Sequence, residues 1–242
     1  MITISGLEKR YGAQHVLRGV NVEVGRGSVT AVVGPNGAGK TTLIKAILGL
    51  VQPDAGAIRV DDLLVGEDCS YRARIGYMPQ IARYPHNLTA RELLTMLTEL
   101  RKAAPNAGPM RRDESLIAQL GLTGQLDKPL RALSGGTRQK VNAVAAFLFS
   151  PDLLILDEPT AGLDPAASEV LKDRILAERA AGRTVIVTSH FMSELEELAT
   201  DVVFLLEGTV RYAGPLDELL RRTRKANLGR AISHLMLEAA AA

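Results

Sequence analysis

The chain has one cysteine, no tryptophan and only four phenylalanines in 242 residues. The single thiol, Cys69, excludes an internal disulfide framework and a cysteine-built zinc site, and it suits a reducing compartment. Four histidines and that cysteine make no cluster at metal-ligand spacing. No apolar run approaches the ~18 residues that a membrane-crossing helix needs; the longest, such as Ala143 to Phe149, are far too short. The first ten residues lack the basic start and apolar core of a secretory signal. Neither charge dominates: 29 Lys and Arg face 27 Asp and Glu, a net +2, which argues against a nucleic-acid partner. These absences predict a soluble, cytoplasmic chain, so that any action on a membrane requires spans supplied by a partner.

What is present is a core-forming composition. Hydrophobic residues are 46% and charged residues 23%, which excludes a disordered chain. A chain of this length buries roughly 70–75% of its unfolded surface and needs no covalent staple. Short β-branched runs predict strands at Ile2–Leu7, Val20–Val24, Val29–Val33, Ala57–Val60, Ile75–Met78, Leu153–Leu156, Thr184–Thr188 and Val202–Leu206. Helices are expected at Lys40–Leu48, from the capping box Thr89-Ala-Arg-Glu92 to Ala103, at Arg111–Leu120, from the Ser134 cap to Phe149, and after the Asp164 cap with Pro165 at its first position. Residues 105–109, with Pro105 and Pro109, break the helical pattern. From about Tyr84 to Phe149 no strand is expected.

Strands alternating with helices imply an α/β fold with a mainly parallel sheet. The divisions read as 1–83, 84–150 (a helical insertion), 151–214 and a helical tail, 215–242. In the tail, Leu228, Ala231, Ile232, Leu235 and Met236 share one helical face, suited to packing on the body of the domain or to a partner. Arg221, Arg222, Arg224 and Lys225 make a basic cluster that reads as a solvated face or as attraction to an anionic membrane.

Three motifs carry chemistry. Gly34-Pro35-Asn36-Gly37-Ala38-Gly39-Lys40-Thr41-Thr42 matches the phosphate-binding loop pattern between a strand and a helix. Its glycines let backbone N–H groups curl around phosphate oxygens, and the helix that follows presents its positive end. Lys40 would reach the β- and γ-phosphates, and the Thr41 hydroxyl would ligate Mg²⁺. Alone, this loop says only nucleoside triphosphate, since kinases, GTPases and motors also use it. Leu153-Leu-Ile-Leu-Asp157-Glu158 is a buried strand that delivers two carboxylates to its C-terminal end, the edge where open parallel sheets bind ligands. Asp157 would hold Mg²⁺ through water, and Glu158 would polarise the attacking water. The third motif, Leu133-Ser134-Gly135-Gly136-Thr137, opens a helix between the other two and is a further anion site.

With these motifs the chain strongly resembles the ATP-binding-cassette (ABC) ATPases over roughly residues 2 to 220, and Leu133 to Thr137 looks like their signature motif. The resemblance implies the P-loop ABC-ATPase fold, with an antiparallel β part and an inserted α-helical subdomain. It places Tyr11 on adenine and makes Gln80 the glutamine that senses Mg²⁺ and water. Asp164, in Ala161-Gly162-Leu163-Asp164, falls in a loop crossing a dimer interface, and His190 becomes the switch histidine on the γ-phosphate. It implies a homodimer with two ATP molecules, each completed by Ser134, Gly135 and Gly136 of the other subunit, working with separate transmembrane subunits at the cytoplasmic face of a membrane. The stretch Ile81 to Glu92 resembles the groove wall that receives a helix of those subunits. Thr137 departs from the usual glutamine, and Ala145 stands where many members have arginine. Gly76–Thr89 and Leu133–Pro165 also resemble the ABC ATPases of nitrous-oxide-reductase maturation, associated with copper or sulfur supply. The expected function is therefore an ATPase that powers a transporter; a non-transporting ABC ATPase that regulates a membrane complex is the alternative.

Overall fold

The computed structural model describes residues 1–66, 69–85, 87–103 and 111–241. Two sheets enclose one helix. The first is antiparallel and orders its strands β2 (Gln14–Val24), β1 (Ile2–Tyr11), β4 (Ala55–Val60) and β5 (Leu63–Leu64). The second runs β10 (Thr209–Pro215), β9 (Asp201–Leu206), β3 (Val29–Val33), β8 (Thr184–Thr188), β7 (Leu153–Asp157) and β6 (Ile75–Met78). All its neighbours are parallel except the β9–β10 hairpin.

Strand alternation sorts the core into two layers. Val29, Ala31, Val33, Leu154, Leu156, Val185 and Val187 face one side of the parallel sheet. Val32, Leu153, Ile155 and Ile186 face the other, where they meet Leu43, Ile44 and Ile47 of α1 (Lys40–Ile47) and the inner residues of the antiparallel sheet. Both faces of β3, β7 and β8 are thus buried, which is why these strands read as continuous apolar runs. The opposite layer collects α2 (Ala90–Ala103), α3 (Ser115–Gln119), α4 (Gly135–Phe147), α5 (Pro165–Ala180), α6 (Met192–Leu198), α7 (Leu216–Thr223) and α8 (Leu228–Ala241). Leu228, Ala231, Ile232 and Leu235 are buried in that layer, so the tail packs on the body; Met236 is half-exposed at its edge.

The caps behave as their side chains dictate. Thr89 Oγ1 accepts from Glu92 N (3.1 Å), while Glu92 Oε2 accepts from Thr89 N (2.8 Å), a closed capping box. Ser134 accepts from Thr137 N and Asp164 from Ala167 N. The helix expected at Arg111–Leu120 begins later, at Ser115. Asp113 causes the delay: its N–H donates to Leu148 O, and its carboxylate accepts from Ser115 N (2.9 Å) and from Arg174 Nη2 (2.6 Å). Those bonds hold the preceding residues out of helical geometry. The strand expected at Ile2–Leu7 continues to Tyr11 through irregular pairing that disguises its alternation. β10 and α6 have no counterpart in the sequence reading, and β10 follows a two-residue turn, Glu207-Gly208, with φ of 50° and 79° at its centre. The breaker at 105–109 and His86, within the expected groove wall, lie outside the described residues.

One polar cluster ties the helical stretch to the sheet-bound helices. Arg174 on α5 donates to Glu178 Oε1 (2.6 Å), Asp113 Oδ2 and Ser115 Oγ (2.9 Å), and its guanidinium lies 5.6 Å from the Phe147 ring centre. Arg183 also pairs with Glu178. Burial raises the Asp113 pKa, but the bonds from Ser115 and Arg174 outweigh it and bring the carboxyl down to about 2. That contribution is present above the ordinary aspartate value and is lost as pH falls toward 2. Arg174→Met should destabilise the chain by about 2–4 kcal/mol, because half-buried Asp113 loses its cation and buried Glu178 keeps only Arg183. Urea denaturation measures the loss, and hydrogen exchange should rise first in α3; unchanged stability would show the cluster to be solvent-screened.

Candidate functional site

The phosphate-loop motif follows β3 and opens α1. Gly34 stands at its first turn with φ 153°, and a Cβ there would lie 2.2 Å from Leu205 O on β9, so only glycine fits. The loop folds over Lys40, whose Nζ donates to Gly34 O (2.6 Å) and Pro35 O (3.1 Å). Burial lowers the lysine pKa, and the charges of Glu158 and Asp157 pull it back up. A desolvated ammonium held by two neutral carbonyls is poised for a stronger, anionic acceptor.

The carboxylates arrive from β7. Asp157 is buried, and its Oδ1 accepts from Thr188 Oγ1 at 2.6 Å across the β7–β8 pair. The next residue leaves the strand: Glu158 takes φ +54°, a left-handed conformation that is rare without glycine and costs of order 1–3 kcal/mol. Its N–H is fixed by Thr188 O (3.2 Å) and Thr188 Oγ1 (3.1 Å). Its carboxylate accepts from His190 N (3.1 Å) and lies 3.4 Å from His190 Nε2. Burial raises the Glu158 pKa and Asp157 adds to the rise, while His190 and Lys40 oppose it.

One cleft of about 340 Å³ gathers Tyr11, Asn36, Gly37, Ala38, Gly39, Lys40, Thr41, Thr42, Gln80, Asp157, Glu158 and His190. Gly34 and Pro35 do not line it; their carbonyl oxygens accept from Lys40 Nζ. The hairpin of β1 and β2 brings Tyr11 to its rim, where the ring is 48% exposed and stands 5.5 Å from Lys9 Nζ. The same hairpin contributes Gln14 and Val16 to the lining, which the sequence reading did not include. Also unforeseen are Thr188, which holds the Asp157 carboxylate and the Glu158 N–H, and Gln139, whose Nε2 reaches Glu158 O (3.3 Å) from α4.

Besides Gly34 and Pro35, four expected residues are outside the lining of this cleft: Ser134, Gly135, Gly136 and Asp164. They form a second surface. Ser134 and Gly135 are exposed at the start of α4, Gly136 lies so close to Gly162 that a Cβ would stand 2.8 Å from its carbonyl, and Lys140 pairs with Asp164 at 2.7 Å. Ser134, Gly136 and Asp164 line no part of the cleft, and Gly135 meets it only through a neighbouring pocket that it shares with Gln80.

The electrostatics have a measurable consequence. Glu158 is destabilised when ionised in the fold, so its contribution to stability is unfavourable above its raised folded value and vanishes once both folded and unfolded forms are protonated. Glu158→Gln keeps the acceptor for His190 N and should raise the thermal midpoint at neutral pH. That gain should fade as pH falls toward the ordinary glutamate range in thermal scans; a lowered midpoint at neutral pH would contradict it.

Comparison with known proteins follows the same lines. The family model described as ABC transporter matches residues 17–161. The chain is 35% identical over 221 residues to a Nod factor export ATP-binding protein of Ralstonia nicotianae, spanning 91% of this chain and 68% of that one. It is 37% identical over 223 residues to a daunorubicin resistance ATP-binding protein of Streptomyces coeruleorubidus, spanning 92% and 70%. A solved ATP-binding subunit of an ABC transporter matches with a TM-score of 0.89 at 33% identity, covering 98% of this chain and 99% of that one. The fold is also that of a dimeric ATP-binding cassette bound to ADP and Pi, with a TM-score of 0.77, 23% identity, and 89% and 98% covered. Among the described residues no helix is long and apolar enough to cross a membrane. The chain belongs to the ABC transporter family, as its ATP-binding and ATP-hydrolysing subunit.

Proposed function

We propose that this ATPase works as a head-to-tail homodimer that powers export by separate membrane-spanning subunits, with the residues above in the following roles. The observation that carries the reading is that one chain divides its motif residues between two surfaces. The cleft holds Lys40, Asp157, Glu158 and His190, while Ser134, Gly135, Gly136 and Asp164 face elsewhere. Two copies facing each other would bring each surface to the other's nucleotide.

Tyr11 stacks on adenine. The N–H groups of residues 34 to 42 and Lys40 take the phosphates. The Thr41 hydroxyl, the Asp157 carboxylate and the Gln80 side chain line one cleft and are oxygen donors, the chemistry that suits Mg²⁺. Bound there, the ion would neutralise phosphate charge. Glu158, whose pKa burial raises against the opposing pull of His190, accepts the proton of the attacking water. His190 contacts the γ-phosphate. ATP favours the closed dimer and hydrolysis releases it, so the nucleotide shifts a population between two states.

The direction of transport rests on the relatives, whose names specify Nod factor export and resistance to daunorubicin or linearmycin. A role in nitrous-oxide-reductase maturation rests on sequence resemblance alone and is not the reading preferred here. The membrane partners choose the solute, and their presence would place the chain at the cytoplasmic face.

Glu158→Gln should cut hydrolysis by about 10²–10⁴-fold, the usual contribution of a positioned base, while an ATP-bound dimer accumulates on a sizing column. Wild-type turnover in that variant would remove Glu158 from the mechanism. Lys40→Ala should weaken ATP binding by about tenfold or more, through loss of a charge-assisted contact worth ~1.5–3 kcal/mol. Titration with a fluorescent ATP analogue checks this, and unchanged affinity would overturn the role of Lys40.

A further inference from the structure

We propose that Thr137 is a positioning residue for the composite site: its hydroxyl donates to Ser134 Oγ and so frees the Ser134 proton for a phosphate oxygen. The inference rests on the head-to-tail reading and assigns one residue a task within it.

Ser134 caps α4, and its Oγ already accepts from Thr137 N at 3.2 Å. Thr137 Oγ1 lies 2.8 Å from the same Oγ, close enough for a hydroxyl–hydroxyl bond that either partner can donate. A serine hydroxyl has one proton and two lone pairs. With Thr137 N and Thr137 Oγ1 both donating, the two lone pairs are filled and the proton has one useful direction, outward. There the N-terminal end of α4 favours an anion. Each donated bond also polarises the next, so the outward O–H becomes a better donor.

The surroundings favour this direction over the usual one. A threonine inside a helix commonly turns its hydroxyl to the carbonyl four residues back. For Thr137 that is Leu133 O, which instead accepts from Arg138 Nη1 at 3.2 Å. The Ser134 carbonyl, the next acceptor in reach, takes Arg138 N at 2.9 Å. The hydroxyl's hydrogen-bond partner in the structure is instead Ser134 Oγ. A glutamate or glutamine at this position of a capping box reaches the cap's own N–H; threonine is too short for that and bonds to the cap hydroxyl. In the free chain Ser134 is exposed and water can fill its lone pairs. When a partner closes over it and water leaves, only Thr137 supplies the second donor.

The test compares Thr137→Val, which keeps the shape and loses the hydroxyl, with Thr137→Ser, which keeps it. Both are made in the Glu158→Gln background, where ATP-dependent dimerisation is read by light scattering. Thr137→Val should weaken the dimer by about three- to tenfold per site, the scale of one neutral hydrogen bond. ATP affinity of the monomer should not change, and Thr137→Ser should restore dimerisation. In a Ser134→Ala background, Thr137→Val should have no further effect, because the pair acts as a unit. If Ser134→Ala alone leaves dimerisation intact, the composite-site reading fails and this inference with it. If Ser134→Ala weakens the dimer but Thr137→Val does not, the inference alone fails. It fails equally if the serine variant behaves like valine, or if the two losses add, since Thr137 would then act as a helix former rather than through Ser134.

Discussion

The site depends on a backbone approach that leaves no room for a side chain. Leu205 O stands where a Cβ of Gly34 would be, so the phosphate loop lies against β9. The contact continues along the loop. Gly208 N donates to Ala38 O (3.1 Å), and Arg18 N donates to Gly208 O (2.9 Å). The β9–β10 turn therefore clamps the loop between the parallel sheet and β2 of the antiparallel sheet. This wedge sets where α1 begins, and with it the direction of the Lys40 side chain. It also fixes the β1–β2 hairpin that carries Tyr11, Gln14 and Val16 to the cleft rim.

Against that fixed loop stands a strained element. Glu158 is held in a left-handed conformation by Thr188 on the neighbouring strand, and its carboxylate is partly desolvated beside Asp157. Both features cost stability, and both are tolerated because β7 and β8 are buried on two faces and paired along their whole length. Gln139 adds a connection of another kind. It reaches the Glu158 carbonyl from α4, the helix whose N-terminus carries Ser134.

The Arg174 cluster shows how the helical stretch is attached on its far side. Asp113 leaves the helix pattern to meet Arg174, and Phe147 lies beneath the guanidinium. The helical stretch is thus joined to the sheet layer by polar contacts at one end and by the Tyr84 hydroxyl on Asn142 (3.1 Å) and Asn142 Nδ2 on Pro79 O (2.9 Å) near Gln80 at the other.

The sequence by itself determined the doubly buried strands, the capped helices and the motif residues, because these are local: apolar runs, caps and glycines act on their own neighbours in the chain. Lys40, Asp157 and Glu158 were legible as motif residues, Gln80, His190 and Tyr11 only through the family resemblance, and the structure brings all six to one cleft. What only the tertiary structure decided is non-local. The antiparallel extension of β1 to Tyr11, the late start of α3 and the hairpin strand β10 each follow from contacts with distant residues. The roles of Thr188 and Gln139 have no motif, since a hydrogen bond across a sheet or from a facing helix leaves no periodic trace in the chain. The bond between Thr137 and Ser134 spans only three residues, yet it needs both side chains turned toward each other at the start of α4, a matter of side-chain and helix geometry rather than of residue spacing.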